Sequence, residues 1–229
     1  MDYIIGVDIG TSGTKAIAFG DAGKVLAQHH VGYSILNPQP GHFEQSPEVL
    51  FKAVIDAIAA TVRSVNSRLN RVKLTGVGFS SAMHGLIALD KQHQPMTHCI
   101  IWADTRSEPF ASKLKASPDG FDIYSRTGTP IHPMSPLCKL GWMREHLPAV
   151  FNAAYKFISI KEFVFFKLFG RYVVDESIAS ATGLFDIHAL TWYRPALDLV
   201  GISPGQLAEP VPITYVISGM DQRVAGQMG

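Results

Sequence analysis

Along the first thirty residues, apolar and polar positions alternate with a period of two, and turn residues interrupt the pattern twice. Tyr3–Val7 is β-rich and ends at Asp8. Thr14–Phe19 resumes the pattern after a Gly/Ser/Thr turn, and Gly20-Asp21-Ala22-Gly23 introduces a third run, Val25–Val31. Three strands joined by two hairpins predict an antiparallel meander. At Ser46 the period changes to that of a helix. Ser46 suits an N-cap, Pro47 the first helical position and Glu48 the positive end of the helix dipole. Leu50, Val54, Ile58, Thr61 and Val65 then recur at three- and four-residue spacing as one apolar packing stripe. Further strands are predicted at Leu74–Phe79, Leu86–Leu89, Ile100–Trp102 and Tyr172–Val174, with a helix at Lys161–Phe169 closed by Gly170. A meander followed by helices and strands in alternation implies an α/β domain, a mixed sheet flanked by helices. Small residues crowd Ser177–Gly183, and Leu199–Gly229 carries turn residues with no finished element.

Composition narrows the function classes. The 229 residues are 47% hydrophobic and 17% charged, with a net charge of +1, which offers no basic field for nucleic acid. No apolar run approaches the ~18 residues that span a bilayer. The N-terminus opens directly on a strand-like segment, without the basic and apolar regions of a signal peptide. The chain therefore reads as cytoplasmic. Cys99 and Cys138 lie far apart and lack metal-ligand spacing, so both are expected as buried free thiols.

The most concentrated chemistry is Asp8-Ile9-Gly10-Thr11-Ser12-Gly13-Thr14-Lys15. An acid ending a buried strand, followed by glycines and hydroxyls in a tight turn, suits phosphate binding. Glycines let the backbone approach phosphate oxygens, and N–H and hydroxyl groups donate to them. The carboxylate would be repelled by phosphate itself, so its natural task is to hold Mg²⁺, usually through water. The segment is not a P-loop, because it lacks the Gly-Lys-Ser/Thr ending and leads into a hairpin. An ordinary Asp/Gly-rich β-turn carries the same letters.

Asp-x-Gly-Thr-Ser/Thr at a hairpin resembles the first phosphate turn of the actin, heat-shock and sugar-kinase superfamily. Three further segments narrow the resemblance to the FGGY carbohydrate kinases: Phe79-Ser80-Ser81-Ala82-Met83-His84-Gly85, Ile101-Trp102-Ala103-Asp104-Thr105-Arg106, and Ser159-Ile160-Lys161-Glu162 through Ser177–Gly183. Within the family, Ser80–His84, Arg126–Met134 and Ser177–Ala181 are closest in wording to gluconokinases. The resemblance covers essentially the whole chain. It implies a ribonuclease-H-like fold and ATP- and Mg²⁺-dependent phosphorylation of D-gluconate. Xylulose or another polyol or ketose is the rival substrate, and a non-catalytic sugar-binding domain is the rival of another class. It also implies a small-molecule sugar acid or polyol as partner, with no nucleic acid and no membrane, and it is compatible with a homodimer.

Residue by residue, the resemblance implies that Asp8 organises Mg²⁺ and that Thr11, Ser12 and Thr14 lie near phosphate. Met83, His84, Trp102, Asp104 and Met134 would lie near the sugar, with His132 beside them. Each has a plainer alternative: turn histidine for His84, core filling for Met83 and Trp102, an ion pair with Arg106 for Asp104. Arg106 and Lys139 are the cations available for a substrate carboxylate, and Lys161 reads as a solvated residue at a helix start. The family's catalytic base is an Asp in a Gly-x-x-Asp-Gly-like turn. Asp221, in Ser218-Gly219-Met220-Asp221-Gln222, offers one match. The register in which Leu207–Thr214 and Val224–Gly229 match the family without a gap instead makes Asp221 an N-cap and puts the base beyond Gly229. The resemblance thus implies that residues 1–229 are the N-terminal, sugar-binding domain, with the C-terminal nucleotide-binding domain absent.

Overall fold

The computed structural model describes residues 1–228. β1 (Asp2–Ile9), β2 (Gly13–Phe19) and β3 (Val25–Gly32) form the antiparallel meander that the alternation predicts. The chain then makes a short strand, β4 (Glu44–Gln45), forms α1 (Pro47–Arg68), and returns as β5 (Lys73–Ser81) beside β1. The sheet order is β3-β2-β1-β5, with β5 parallel to β1. Tyr3, Ile5, Val7 and Ile9 are buried on one face, and Ala16 and Ala18 of β2 share it. Those alanines leave room for α1, which packs against β2 and β3. The helix starts as its sequence indicates: Ser46 Oγ accepts the Val49 N–H at 3.4 Å, and Pro47 is the first helical residue. Leu50, Val54, Ile58, Thr61 and Val65 are all buried. Thr61 satisfies its buried hydroxyl by donating to the Ala57 carbonyl at 2.8 Å.

The second layer begins with β6 (Ile87–Leu89) and β7 (Cys99–Ile100), where β7 pairs with β4. Four helices follow: α2 (Glu108–Lys115), α3 (Pro118–Thr127), α4 (Pro136–His146) and α5 (Pro148–Ala153). β8 (Lys156–Ile158) pairs with β6 and leads into α6 (Ile160–Phe169) and β9 (Val173–Asp175). The remainder comprises α7 (Glu176–Ser180), the hairpin β10 (Phe185–Asp186) and β11 (Thr191–Trp192), α8 (Arg194–Val200), β12 (Glu209–Val211) and α9 (Gln222–Met228). A second core gathers Leu137, Leu140, Met143, Phe157 and Leu197 around α4.

Several expectations need correction. The pattern reading left residues 107–153 without elements, because the prolines there look like loop punctuation. They instead sit in the first turn of their helices, where a missing N–H costs nothing. β7 stops at Ile100, so Trp102 lies in the turn beyond it. Lys161 is not solvated. Its side chain is 12% exposed and its ammonium pairs with Asp175 at 2.6 Å. Cys99 and Cys138 are free and buried, as expected, and burial pushes the Cys99 thiol up to about 12. Among the described residues no helix is long and apolar enough to cross a membrane.

α6 opens on a buried carboxyl group. Glu162, at its third position, accepts the Ser159 N–H at 2.6 Å. Burial raises its pKa from 4.5 to about 7, against the opposing pull of the Ser159 bonds. Folding therefore takes up a proton between those values. The stabilisation is complete below about 4.5 and is lost as pH rises through about 7. Glu162→Gln keeps an acceptor oxygen and removes the titration. Its unfolding free energy should fall less steeply than wild type between those two pH values, as measured by denaturant titration at several pH values.

Candidate functional site

β1 delivers Asp8 to the open face of the sheet, where it is exposed. The turn that follows is closed by the Gly10 N–H donating to the Gly13 carbonyl at 3.0 Å. A Cβ on Gly13 would meet the Val31 carbonyl at 2.8 Å and run into the His30 ring, so only glycine fits there. Two side chains fasten the turn from beneath. Tyr33 donates its hydroxyl to the Gly10 carbonyl at 2.7 Å, and Gln45 Nε2 donates to the Thr11 carbonyl at 2.8 Å. Nothing in the local sequence marks either residue, since both act from outside the motif. Ser12 is exposed and Thr11 half-buried. Thr14 is not on the surface. It is wholly buried, with its hydroxyl 3.3 Å from the Tyr33 hydroxyl, so it supports the turn and does not face a ligand.

β5 carries the second turn to the same edge. Its register with β1 pairs Asp8 with Ser80 and Ile9 with Ser81, and the Ala82 N–H continues the ladder by donating to the Ile9 carbonyl at 2.8 Å. Met83 is 44% exposed at this edge. His84 adopts a left-handed backbone, φ +66°. Its Nδ1 lies 2.8 Å from the Ala181 carbonyl, which can only accept. Nδ1 therefore carries the proton and Nε2 holds a free lone pair. Burial lowers the His84 pKa; the Ala181 bond opposes this, and the nearby Lys139 and His132 charges reinforce it. Trp102, 48% exposed, donates Nε1–H to Thr11 Oγ1 at 3.0 Å and so ties the second turn's neighbour to the first turn. In the loop before α4, the Met134 N–H donates to His132 Nδ1 at 3.2 Å, with Met134 half-buried.

Three expected ligand groups turn out to be committed elsewhere. The Asp104 side chain has no exposed surface. It accepts from the Phe43 N–H at 2.7 Å and from the Arg106 guanidinium at 2.8 Å. Arg106 in turn pairs with Glu44 at 2.6 Å and lies over the Trp142 ring. Lys139 is fully buried inside α4 and donates to backbone carbonyls. Asp104 thus stands behind the site, and neither cation is free to meet a substrate carboxylate. Asp221 lies just before α9. Its carboxylate accepts from the Arg223 N–H at 2.8 Å and the Val224 N–H at 3.4 Å, an N-cap arrangement. Gly229, which ends the expected run from Val224, lies outside the described residues.

Among the described residues no group of three or more His, Cys, Asp or Glu side chains could cage a metal. One exposed carboxylate, Asp8, beside a turn of glycines and hydroxyls nevertheless fits Mg²⁺, which commonly takes one or two carboxylates and completes its shell with phosphates and water.

The Gly10–Gly13 turn and the Met83–His84 turn stand side by side on a meander-first mixed sheet. The chain belongs to the FGGY family of carbohydrate kinases: the model of that family's N-terminal domain matches residues 3–229. It is 41% identical over 227 residues to a gluconokinase of Bacillus subtilis (strain 168), covering 99% of this chain and 44% of that protein. To a xylulose kinase of Staphylococcus xylosus it is 27% identical, over all of this chain and 47% of the other. The crystal structure of a gluconate kinase from Lactobacillus acidophilus superposes with a TM-score of 0.94 at 32% identity, over 99% of this chain and 45% of that one. The chain spans less than half the length of these relatives. The fold is that of the ribonuclease-H-like sugar kinases, as the sequence resemblance implies.

The buried charge cluster yields a test of the Asp104 assignment. Asp104→Asn leaves Arg106 buried beside a single remaining carboxylate and should destabilise the chain by about 3 kcal/mol in denaturant unfolding. A stable variant would return Asp104 to the ligand surface. Trp102→Phe removes only the donor to Thr11. It should speed amide hydrogen exchange at Gly10–Gly13 and leave α1 unchanged.

Proposed function

We propose that the whole protein to which this lobe belongs is an ATP- and Mg²⁺-dependent kinase that transfers a phosphoryl group to D-gluconate, giving 6-phosphogluconate and ADP. The observation that carries the reading is the in-register pairing of β1 with β5, which sets the phosphate turn beside the Met83–His84 turn. Phosphoryl transfer needs little covalent help from a protein; it needs donor and acceptor held in line and charge neutralised. In this reading Thr11 and Ser12 hold phosphate oxygens, and Asp8 holds Mg²⁺, which neutralises phosphate charge when bound. His84 Nε2 accepts a hydrogen bond from a sugar hydroxyl, which orients that hydroxyl. Met83 and the Trp102 face cover the C–H side of the sugar and exclude water.

The preference for gluconate is supported by the 41% identity to two Bacillus gluconokinases, against 27% and 31% to the xylulose kinases of Staphylococcus xylosus and Bacillus subtilis. Residues 1–229 supply the sugar-binding domain. In this reading Asp221 serves as a helix cap, and the nucleotide-binding domain and the proton-accepting base come from outside residues 1–229.

The test is MgATP-dependent ADP release by the whole gene product with D-gluconate, xylulose and glycerol. Turnover is expected with gluconate foremost. A preference for xylulose would keep the family activity and overturn the substrate; no turnover with any sugar would favour a non-catalytic sugar-binding role. Asp8→Asn should lower kcat about 100-fold or more with the fold intact.

A further inference from the structure

Lys139 is the side chain whose placement the reaction as described leaves unexplained. It sits in the middle of α4 with no exposed surface. Its Nζ lies 2.6 Å from the His84 carbonyl, 3.1 Å from that of Ile100 and 2.8 Å from that of Ile101. No carboxylate meets it directly. Asp104 is taken by Arg106, and the thiols of Cys99 and Cys138 are both held protonated by burial. A buried ammonium without an ion-pair partner is costly, and an aliphatic residue there would serve the core better. Nor is the ammonium rescuing orphaned acceptors on the strand side. The Ile100 carbonyl already receives the Leu86 N–H, and the Ile101 carbonyl the Asp104 N–H. What the charge adds is a tie at the site end of two segments that Leu86 and Ile100 already pair through backbone hydrogen bonds: it joins the His84 carbonyl itself to the strand end that leads to Trp102.

We propose that Lys139 is the positioning residue of the sugar site: its ammonium clamps the carbonyls of His84, Ile100 and Ile101 and thereby fixes the Met83–His84 turn against the segment that carries Trp102. The clamp needs the charged form, since only an ammonium has three protons for three carbonyls. Burial lowers the Lys139 pKa from 10.5 to about 7, so the clamp is complete below that pH and loosens above it. The same helix secures the other end of His84. The Leu137 N–H donates to the Thr182 carbonyl at 3.0 Å, holding the segment whose Ala181 carbonyl receives His84 Nδ1. α4 therefore fixes both the backbone and the ring of His84.

The charge has a second effect on the same residue. The ionisable groups near His84 are Lys139 from α4 and His132 from the loop before it, and both disfavour an imidazolium. Those near Lys139 are Cys99, Asp104 and Arg106 from the β7 side and Cys138 from its own helix. With Lys139 charged, His84 stays neutral and its Nε2 lone pair stays free for a hydroxyl proton. The inference rests on the sugar-kinase reading for its consequence in catalysis, but not for its structural content.

The test compares wild type with Lys139→Met. In the 229-residue chain, without sugar, the His84 imidazole followed by NMR should titrate at higher pH in the variant than in wild type. In the whole gene product the KM for gluconate should rise about 10-fold or more with the KM for MgATP unchanged. An unshifted His84 titration, or sugar and nucleotide KM rising together, would overturn the proposal. If Lys139→Met does not fold, ¹⁵N-lysine spectra of wild type at pH 6, below the Lys139 value of about 7, decide: a protected ammonium supports the clamp, and a neutral amine refutes it. Should wild type phosphorylate no sugar at all, the functional reading fails, while the His84 titration still tests the clamp.

Discussion

The site depends on the parallel register of two strands. Side chains on a strand alternate faces, so a slip of one residue between β1 and β5 would turn Asp8 from the open face toward α1. It would also move the Met83–His84 turn out of step with Gly10–Gly13. Burial of Tyr3, Ile5, Val7 and Ile9 against α1 prevents that slip. The hydrophobic layer thus does more than stabilise the lobe: it sets the relative height of two turns that, in the proposed reaction, address neighbouring atoms. Tyr33, Gln45 and Trp102 then refine what the register establishes, each with one hydrogen bond to the first turn.

Charge is used inside this lobe more than on its site surface. Glu44, Arg106 and Asp104 form a largely desolvated chain beside Trp142, and Lys139 a separate buried cation over backbone carbonyls. Such groups are poor sources of stability compared with well-packed apolar side chains, yet they define geometry closely because each donor has few acceptable partners. The surface they support presents mainly neutral donors, acceptors and apolar area: Thr11, Ser12, the His84 lone pair, Met83 and the Trp102 face. In the proposed function that surface serves a polyol, whose many hydroxyls require directed hydrogen bonds.

The sequence made the scaffold around the site legible where local physics dominates. Period-two alternation exposed the meander, and Ser46-Pro47-Glu48 marked the start of α1. Legibility failed for α2, α3 and α4, which carry a proline in the first turn, and most completely where such a helix also lacks a polar stripe. In α4, Leu137, Cys138, Lys139, Leu140, Gly141 and Met143 are all buried, so no stripe stands out, and its opening Pro136 reads as a turn. The motifs located both turns, because glycine and hydroxyl spacing is a local property. They did not reveal which side chains face inward. Thr14, Asp104 and Lys161 look like surface or ligand groups by type. Their burial is decided by Tyr33, by the Phe43 backbone with Arg106, and by Asp175 respectively, partners that lie partly or wholly outside the motifs.

Met83 and Trp102 stand nearly half in water at the edge shared by the two turns. Whatever comes to cover them, a sugar's C–H face or a closing lobe, must strip water from apolar surface. Association at this edge should therefore carry a negative heat-capacity change even for a ligand as polar as a sugar acid. Its enthalpy, and with it the apparent driving force, would then depend on the temperature at which binding is observed.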